Sequence, residues 1–237
     1  MGNVRLRQVA LAALNGAKVI HQLGATFGLS TGYEDPAVAG FGLENRVFAL
    51  GDQFLEIVSP VTDTAPVLRF LKKTGRRSAG YMVILGVDSV IPYRERAEAL
   101  GCRVMVESDS ETWSTLHLHP RDMGSLLSVD QDKGGDWIPA GPDWREWSKA
   151  NVITGIAGVR IATADPVAMA NRWAALLGIP SSSGGTLHLS QGTIKFVPVT
   201  SAIDGLVALD LTSSEEGRLG ECHTIAGTQF QIVKVAA

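Results

Sequence analysis

One phrase recurs along this chain and limits what it can fold into: a short run of β-forming residues, a helix-capping residue, then an amphipathic stretch closed by glycine. Val9-Ala10-Leu11-Ala12 leads to Asn15, Met82-Val83-Ile84-Leu85 to Asp88, Val159-Arg160-Ile161-Ala162 to Asp165-Pro166, and Leu206-Val207-Ala208-Leu209 to Asp210. After the first three, apolar residues fall at helical spacing: Val19, Ile20, Leu23 and Phe27; Val90, Tyr93, Ala97 and Leu100; Met169, Trp173, Leu176 and Leu177. Asn or Asp before such a stretch can accept from free first-turn amides, and Gly28, Gly101 and Gly178 tolerate the left-handed conformation that ends a helix. The fourth copy runs through Ser213 to Gly217 without a helical stripe and is read as trimmed.

Strands follow each helix. Arg46 to Leu50 and Gln53 to Val58 flank Gly51-Asp52 as a hairpin, and Thr186 to Ser190 and Thr193 to Val199 flank Gln191-Gly192 in the same way. Thr115-Leu116-His117-Leu118 and Thr186-Leu187-His188-Leu189 occupy equivalent places in copies two and three. The last copy is expected to finish with strands at His223 to Ile225 and Phe230 to Val235. The repeating unit is therefore β-α-β-β with one further strand expected, and the copies are expected to pair as one with two and three with four. Residues 130–151 are rich in Gly, Asp and Pro and carry Trp137, Trp144 and Trp147, which suits a connector pinned by aromatics. The expected organisation is a first domain over 1–130, a Trp-rich connector over 131–151 and a second, degenerate domain over 152–237.

Composition narrows the function classes. Hydrophobic residues make up 45% of the 237 positions and charged ones 19%, enough for a sizeable core and unlike a disordered chain. A net charge of -3 without long single-sign blocks argues against nucleic acid as a partner. Apolar runs stop well short of the roughly 20 residues a bilayer span needs, and no signal-type core follows Arg5 and Arg7, so a soluble, unprocessed protein is expected. Two cysteines, Cys102 and Cys222, offer neither a disulfide framework nor a zinc knot, which fits a reducing cytoplasm. Gly-rich phosphate loops, HExxH and GxSxG are absent, removing nucleotide hydrolases, zincins and serine hydrolases from the leading classes.

His119-Pro120-Arg121-Asp122-Met123-Gly124, Gly80-Tyr81-Met82-Val83-Ile84-Leu85 with the following Ala99-Leu100-Gly101, and Gln53-Phe54-Leu55-Glu56-Ile57-Val58 resemble phrases of the vicinal oxygen chelate superfamily, the glyoxalase and bleomycin-resistance-like fold. The resemblance spans nearly the whole chain. It implies an α+β fold of tandem βαβββ modules forming two curved mixed β-sheets, half-barrels flanked by helices, with the fourth module trimmed. It also implies one divalent-metal ligand from each of four strands, leaving positions open for a substrate carbonyl or enolate. Aligning the copies on that pattern gives Gln8, Tyr81, Gly158 and Gly205 at first-strand positions and Glu56, Ser128, Lys195 and Gln231 at last-strand ones. Only Gln8 and Glu56 are ordinary ligands, so at most one incomplete metal site, in the first domain, is expected.

Alternation along Phe54 to Val58 sends Leu55 and Ile57 to one face and Phe54, Glu56 and Val58 to the other, where Glu56 is either a general base or an exposed polar residue. His117 and His119, two apart on a strand, can help a metal or relay protons; alternatively His117 is a pocket wall and His119 starts the turn at Pro120. Gln8, Tyr81, His119 and Ser128 are the expected substrate contacts, with Glu56 and His117 the catalytic pair. Arg69, Lys72, Lys73, Arg76 and Arg77 form either an anion-docking cluster or a solvated helix face. Three functions stay open: an isomerase, epimerase or lyase moving a proton on a small carbonyl or oxo-acid compound; a small-molecule sequestering protein; or a structural role for the second half as lid or homodimer interface.

Overall fold

The computed structural model describes residues 3–29, 31–149, 151–180, 184–200 and 204–234. The strands are β1 (Val4–Ala13), β2 (Leu43–Leu50), β3 (Gln53–Pro60), β4 (Ser78–Val87), β5 (Val104–Asp109), β6 (Trp113–Leu118), β7 (Leu126–Asp132), β8 (Ile153–Thr163), β9 (Thr186–His188), β10 (Thr193–Pro198), β11 (Gly205–Ser213), β12 (Cys222–Ile225) and β13 (Thr228–Val233). The helices are α1 (Gly16–Phe27), α2 (Pro66–Thr74), α3 (Ile91–Ala99), α4 (Pro120–Met123), α5 (Trp144–Lys149) and α6 (Pro166–Leu177). Two open sheets of mixed strand direction result, ordered β2-β3-β1-β4-β7-β6-β5 and β12-β13-β11-β8-β10-β9. The fold is α+β. No helix among the described residues is long and apolar enough to cross a membrane.

The repeat is visible in strand pairing. In each copy the first strand lies parallel to the last: β1 with β3, β4 with β7, β8 with β10, and β11 with β13. Such pairs need a crossover, supplied by α1, α3 and α6 in three copies and by a short 3-10 turn at Glu216–Arg218 in the trimmed fourth. Among the described residues only the second copy has the full βαβββ complement, β4-α3-β5-β6-β7, with α4 inserted before its last strand. The expected terminal strand stops at Val233; Val235 lies outside the described residues.

Capping chemistry sets two of the helices. Asn15 Oδ1 accepts from Lys18 N at 3.0 Å and Asp165 Oδ1 from Ala168 N at 2.9 Å, while Gly28 and Gly178 close α1 and α6 at φ 72° and 66°. Asp88 does not cap α3, which begins after Val90; its carboxylate accepts from the backbone of Asn3 instead. Arg69, Lys72, Lys73 and Arg77 are exposed on and just beyond α2, a solvated face.

The chain forms two compact units, each assembled from separate stretches: Met1–Arg7, Met82–Asp136 and Gly158–Val207 in one, and Gln8–Tyr81, Trp137–Ala157 and Ala208–Ala237 in the other. The sheets divide the chain between β7 and β8, whereas the units group copy two with copy three and copy one with copy four. In the unit containing copy one, α1 covers the Leu55 and Ile57 face of β3. Gly16 permits that approach, since a Cβ there would lie 2.4 Å from Ser59 Oγ. Phe27 of α1 packs against Phe230, at 5.5 Å between ring centroids. In the other unit Trp173 of α6 packs on Phe196 and donates its indole N–H to the Met123 carbonyl at 2.8 Å.

Candidate functional site

Parallel register places Glu56 opposite Ala10 and Phe54 opposite Gln8, so Gln8 and Glu56 share the face that α1 leaves uncovered. Gln8 Nε2 donates to Glu56 Oε2 at 2.9 Å. The hairpin brings a third group to this face: Val47 lies opposite Glu56 and Asn45 opposite Val58, and Asn45 Nδ2 donates to Glu56 Oε1 at 2.6 Å. Asn45 is in turn fixed through Oδ1, which accepts from Asp35 N at 2.9 Å.

The fourth component comes from the connector. Trp137 donates its indole N–H to Gln8 Oε1 at 2.7 Å and stacks on Phe54, with centroids 6.0 Å apart and planes within 1°. Trp144 meets Phe54 edge-on at 5.2 Å. Trp137 holds φ at 47°, a left-handed backbone that a bulky side chain seldom adopts. Trp137 is 2% exposed, Gln8 2% and Glu56 7%, so the indole, the amide beneath it and the carboxylate are all withdrawn from solvent.

Burial raises the Glu56 pKa above its ordinary value; the bonds from Asn45 and Gln8 oppose that shift, and the charge of Asp35 adds to it. Neutral amides, rather than a cation, hold this carboxylate. Tyr81 senses the same charge: burial first, then Glu56, pushes its phenol up to about 12, so it remains a protonated donor. Its ring leans on Phe70 at 5.1 Å beside a cluster of Ala12, Val58, Val67, Leu71 and Ala79.

The strand registers correct the alignment of the copies. Gln8 pairs two residues before Glu56, and the residues paired two before Ser128, Lys195 and Gln231 are Met82, Gly158 and Ala208. Tyr81 is thus one residue and Gly205 three residues away from the position that pairs as Gln8 does, while Tyr81 still packs beside Ala12 and Val58 on the Gln8 and Glu56 face. His119 follows the last residue of β6, and its Nδ1 caps α4 by accepting from Arg121 N at 3.0 Å.

The expected site residues fall into two groups. Gln8, Glu56 and Tyr81 belong to one compact unit; His117, His119 and Ser128 belong to the other. On β6 and β7, His117 lies opposite Ser128 and Thr115 opposite Asp130. Thr115 Oγ1 donates to Asp130 Oδ1 at 2.6 Å, and Ser128 Oγ donates to the same oxygen. Burial lifts the Asp130 pKa to about 6, against those two bonds, and lowers that of His117 to about 4, leaving the imidazole neutral at pH 7.

A divalent ion between Gln8 and Glu56 would need their oxygens turned to one point. Gln8 instead turns its amide nitrogen to the carboxylate and its oxygen to an indole nitrogen that can only donate, so this donor set does not fit an ion. Among the described residues no group of three or more His, Cys, Asp or Glu side chains is placed to hold a metal.

Asn45, Asp130 and Thr115 were not singled out from the sequence, though alternation from the Gly51-Asp52 turn would have put Asn45 on the Glu56 face. Trp137 was recognised only as a connector anchor. Its bond to Gln8 spans 129 positions, which no local pattern encodes.

The glyoxalase-like domain profile matches residues 11–177. Over nearly its whole length the structure is similar to a hypothetical protein from Staphylococcus aureus, at 10% identity and TM-score 0.71, covering 96% of this chain and 97% of that one. Methylmalonyl-CoA epimerase from Mycobacterium tuberculosis aligns at 16% identity and TM-score 0.47, over 54% of this chain and 87% of its own. The Streptomyces coelicolor methylmalonyl-CoA epimerase, solved with 2-nitronate-propionyl-CoA, aligns at 17% identity and TM-score 0.48, over 55% and 98%. No curated protein matches.

Proposed function

The chain belongs to the glyoxalase-like domain family of the vicinal oxygen chelate superfamily, and on that premise we propose that it transfers a proton at the carbon beside a carbonyl, as an isomerase or epimerase of a small oxo compound. Glu56 is the base. The observation that carries this reading is a carboxylate 7% exposed, held by two neutral amides and raised in pKa by burial. Such a group binds a proton more tightly than an exposed glutamate, which brings its basicity closer to neutral pH. Glu56 takes the proton from carbon, the electron pair of that C–H bond moves onto the carbonyl oxygen, and return of the proton completes the exchange. The Tyr81 phenol, held protonated, is the donor for the developing enolate oxygen. Trp137 covers Gln8 and must swing aside for a substrate to reach Glu56.

The test is solvent exchange: small 2-oxo acids and acyl thioesters are incubated with the protein in deuterium oxide and followed by proton NMR. Protein-dependent loss of the α-proton signal that falls at least 100-fold in Glu56→Gln is expected. Absence of exchange across both substrate classes, or exchange unchanged in Glu56→Gln, contradicts the proposal. Sequestration without chemistry is the second reading, favoured by the same indole: Trp137 leaves the polar groups around Glu56 satisfied, as suits a hollow that opens only to bind. Saturable binding without exchange, retained in Glu56→Gln, is its signature.

A further inference from the structure

We infer that the face of β6 and β7 carrying Thr115, His117, Ser128 and Asp130 is a binding site for a small protonated amine with an apolar body, separate from Glu56 and independent of its role. Asp130 is 6% exposed and Ser128 fully buried. Both hydroxyl bonds to Asp130 end on Oδ1; among the described residues Oδ2 receives no hydrogen bond and the carboxylate has no ion pair. A buried carboxylate with one oxygen unpaired and no opposing charge is costly unless a donor reaches it.

The cross-strand neighbour repeats the pattern. His117 is half-buried on the same face, two residues along from the Thr115 and Asp130 pair, and among the described residues its ring makes no hydrogen bond. Neutral imidazole supplies one acceptor and one donor. Parallel pairing of β4 with β7 sets Met82 beside Leu126 and Ile84 beside Ser128, giving the face an apolar floor, while at Gly86, beside Asp130, the carbon chain of Arg7 packs against the strand. The complement of an open carboxylate oxygen, a neutral imidazole and two aliphatic side chains is an ammonium group on a hydrocarbon body, because a charge-assisted hydrogen bond is far stronger than one from a neutral donor.

The test uses benzylamine against benzyl alcohol at pH 7.5, read from the amide resonances of Thr115 and Ser128 in the full chain. Saturable shifts with the amine, at least tenfold weaker binding of the alcohol, and at least tenfold weaker amine binding in Asp130→Asn are expected. His117→Phe, which fills the approach and leaves the carboxylate bonds intact, is expected to weaken amine binding to a similar extent and serves should Asp130→Asn fail to fold. No saturable shift, equal binding of amine and alcohol, or undiminished amine binding in the folded variants overturns the inference. So does loss of amine binding in Glu56→Gln, which would place the amine at the other carboxylate.

Discussion

Glu56 and Asp130 are buried carboxylates, and each is held by neutral donors: amides for Glu56, hydroxyls for Asp130. Burial outweighs those bonds and raises both pKa values, so the protonated form is favoured on folding. The sign for stability follows. The stability that Asp130 contributes is fully present below its unfolded value of 3.8 and is lost as pH rises through about 6. A shift of that size corresponds to about 3 kcal/mol. Urea unfolding between pH 4 and pH 7 is therefore expected to show Asp130→Asn losing about 2 kcal/mol less than the parent over this range; parallel curves would contradict the assignment. Asp130 escaped notice in the sequence because an aspartate near a strand end is ordinarily solvated. Its burial depends on the packing around β7; for Glu56, strand alternation gave the shared face with Phe54 and Val58 and left open whether that face was buried.

At the scale of elements, the connector does more than link sheets. Its Trp137 indole fills the Gln8 and Phe54 surface and fixes the orientation of the Gln8 amide, which in turn directs an N–H at Glu56. Trp137→Ala is expected to cost about 3–5 kcal/mol, from lost burial and the cavity left behind. Trp137→Phe keeps most of the ring packing and forfeits the hydrogen bond, an expected loss of about 1–3 kcal/mol because Gln8 Oε1 is left unpaired. Denaturant midpoints separate the two, and equal losses would show that the hydrogen bond, rather than packing, dominates. The β-α-β-β phrase, the caps at Asn15 and Asp165 and the trimmed fourth copy were legible because each is local. The register of Tyr81 was not: sequence alignment of copies can slip by one residue, whereas parallel pairing of β4 with β7 identifies Met82 as the counterpart of Gln8.

For the molecule as a whole, the repeats and their family were readable, and each sheet is built from two successive copies. The compact units depend on long-range packing that periodicity does not carry, and each draws segments from both sides of the connector. Fragments 1–130 and 152–237 are accordingly expected to lack cooperative unfolding when made separately, read by near-ultraviolet circular dichroism; a fragment that unfolds as sharply as the intact chain would contradict this. The account rests above all on Glu56 being a carboxyl that holds its proton beyond the ordinary range. Carbon-13 NMR titration of the glutamate side-chain carboxyls, with the Glu56 signal identified by its absence in Glu56→Gln, tests this most directly. The account predicts a midpoint clearly above 4.5, moving further up when Asn45→Ala removes an opposing hydrogen bond; a midpoint at or below 4.5 would contradict it.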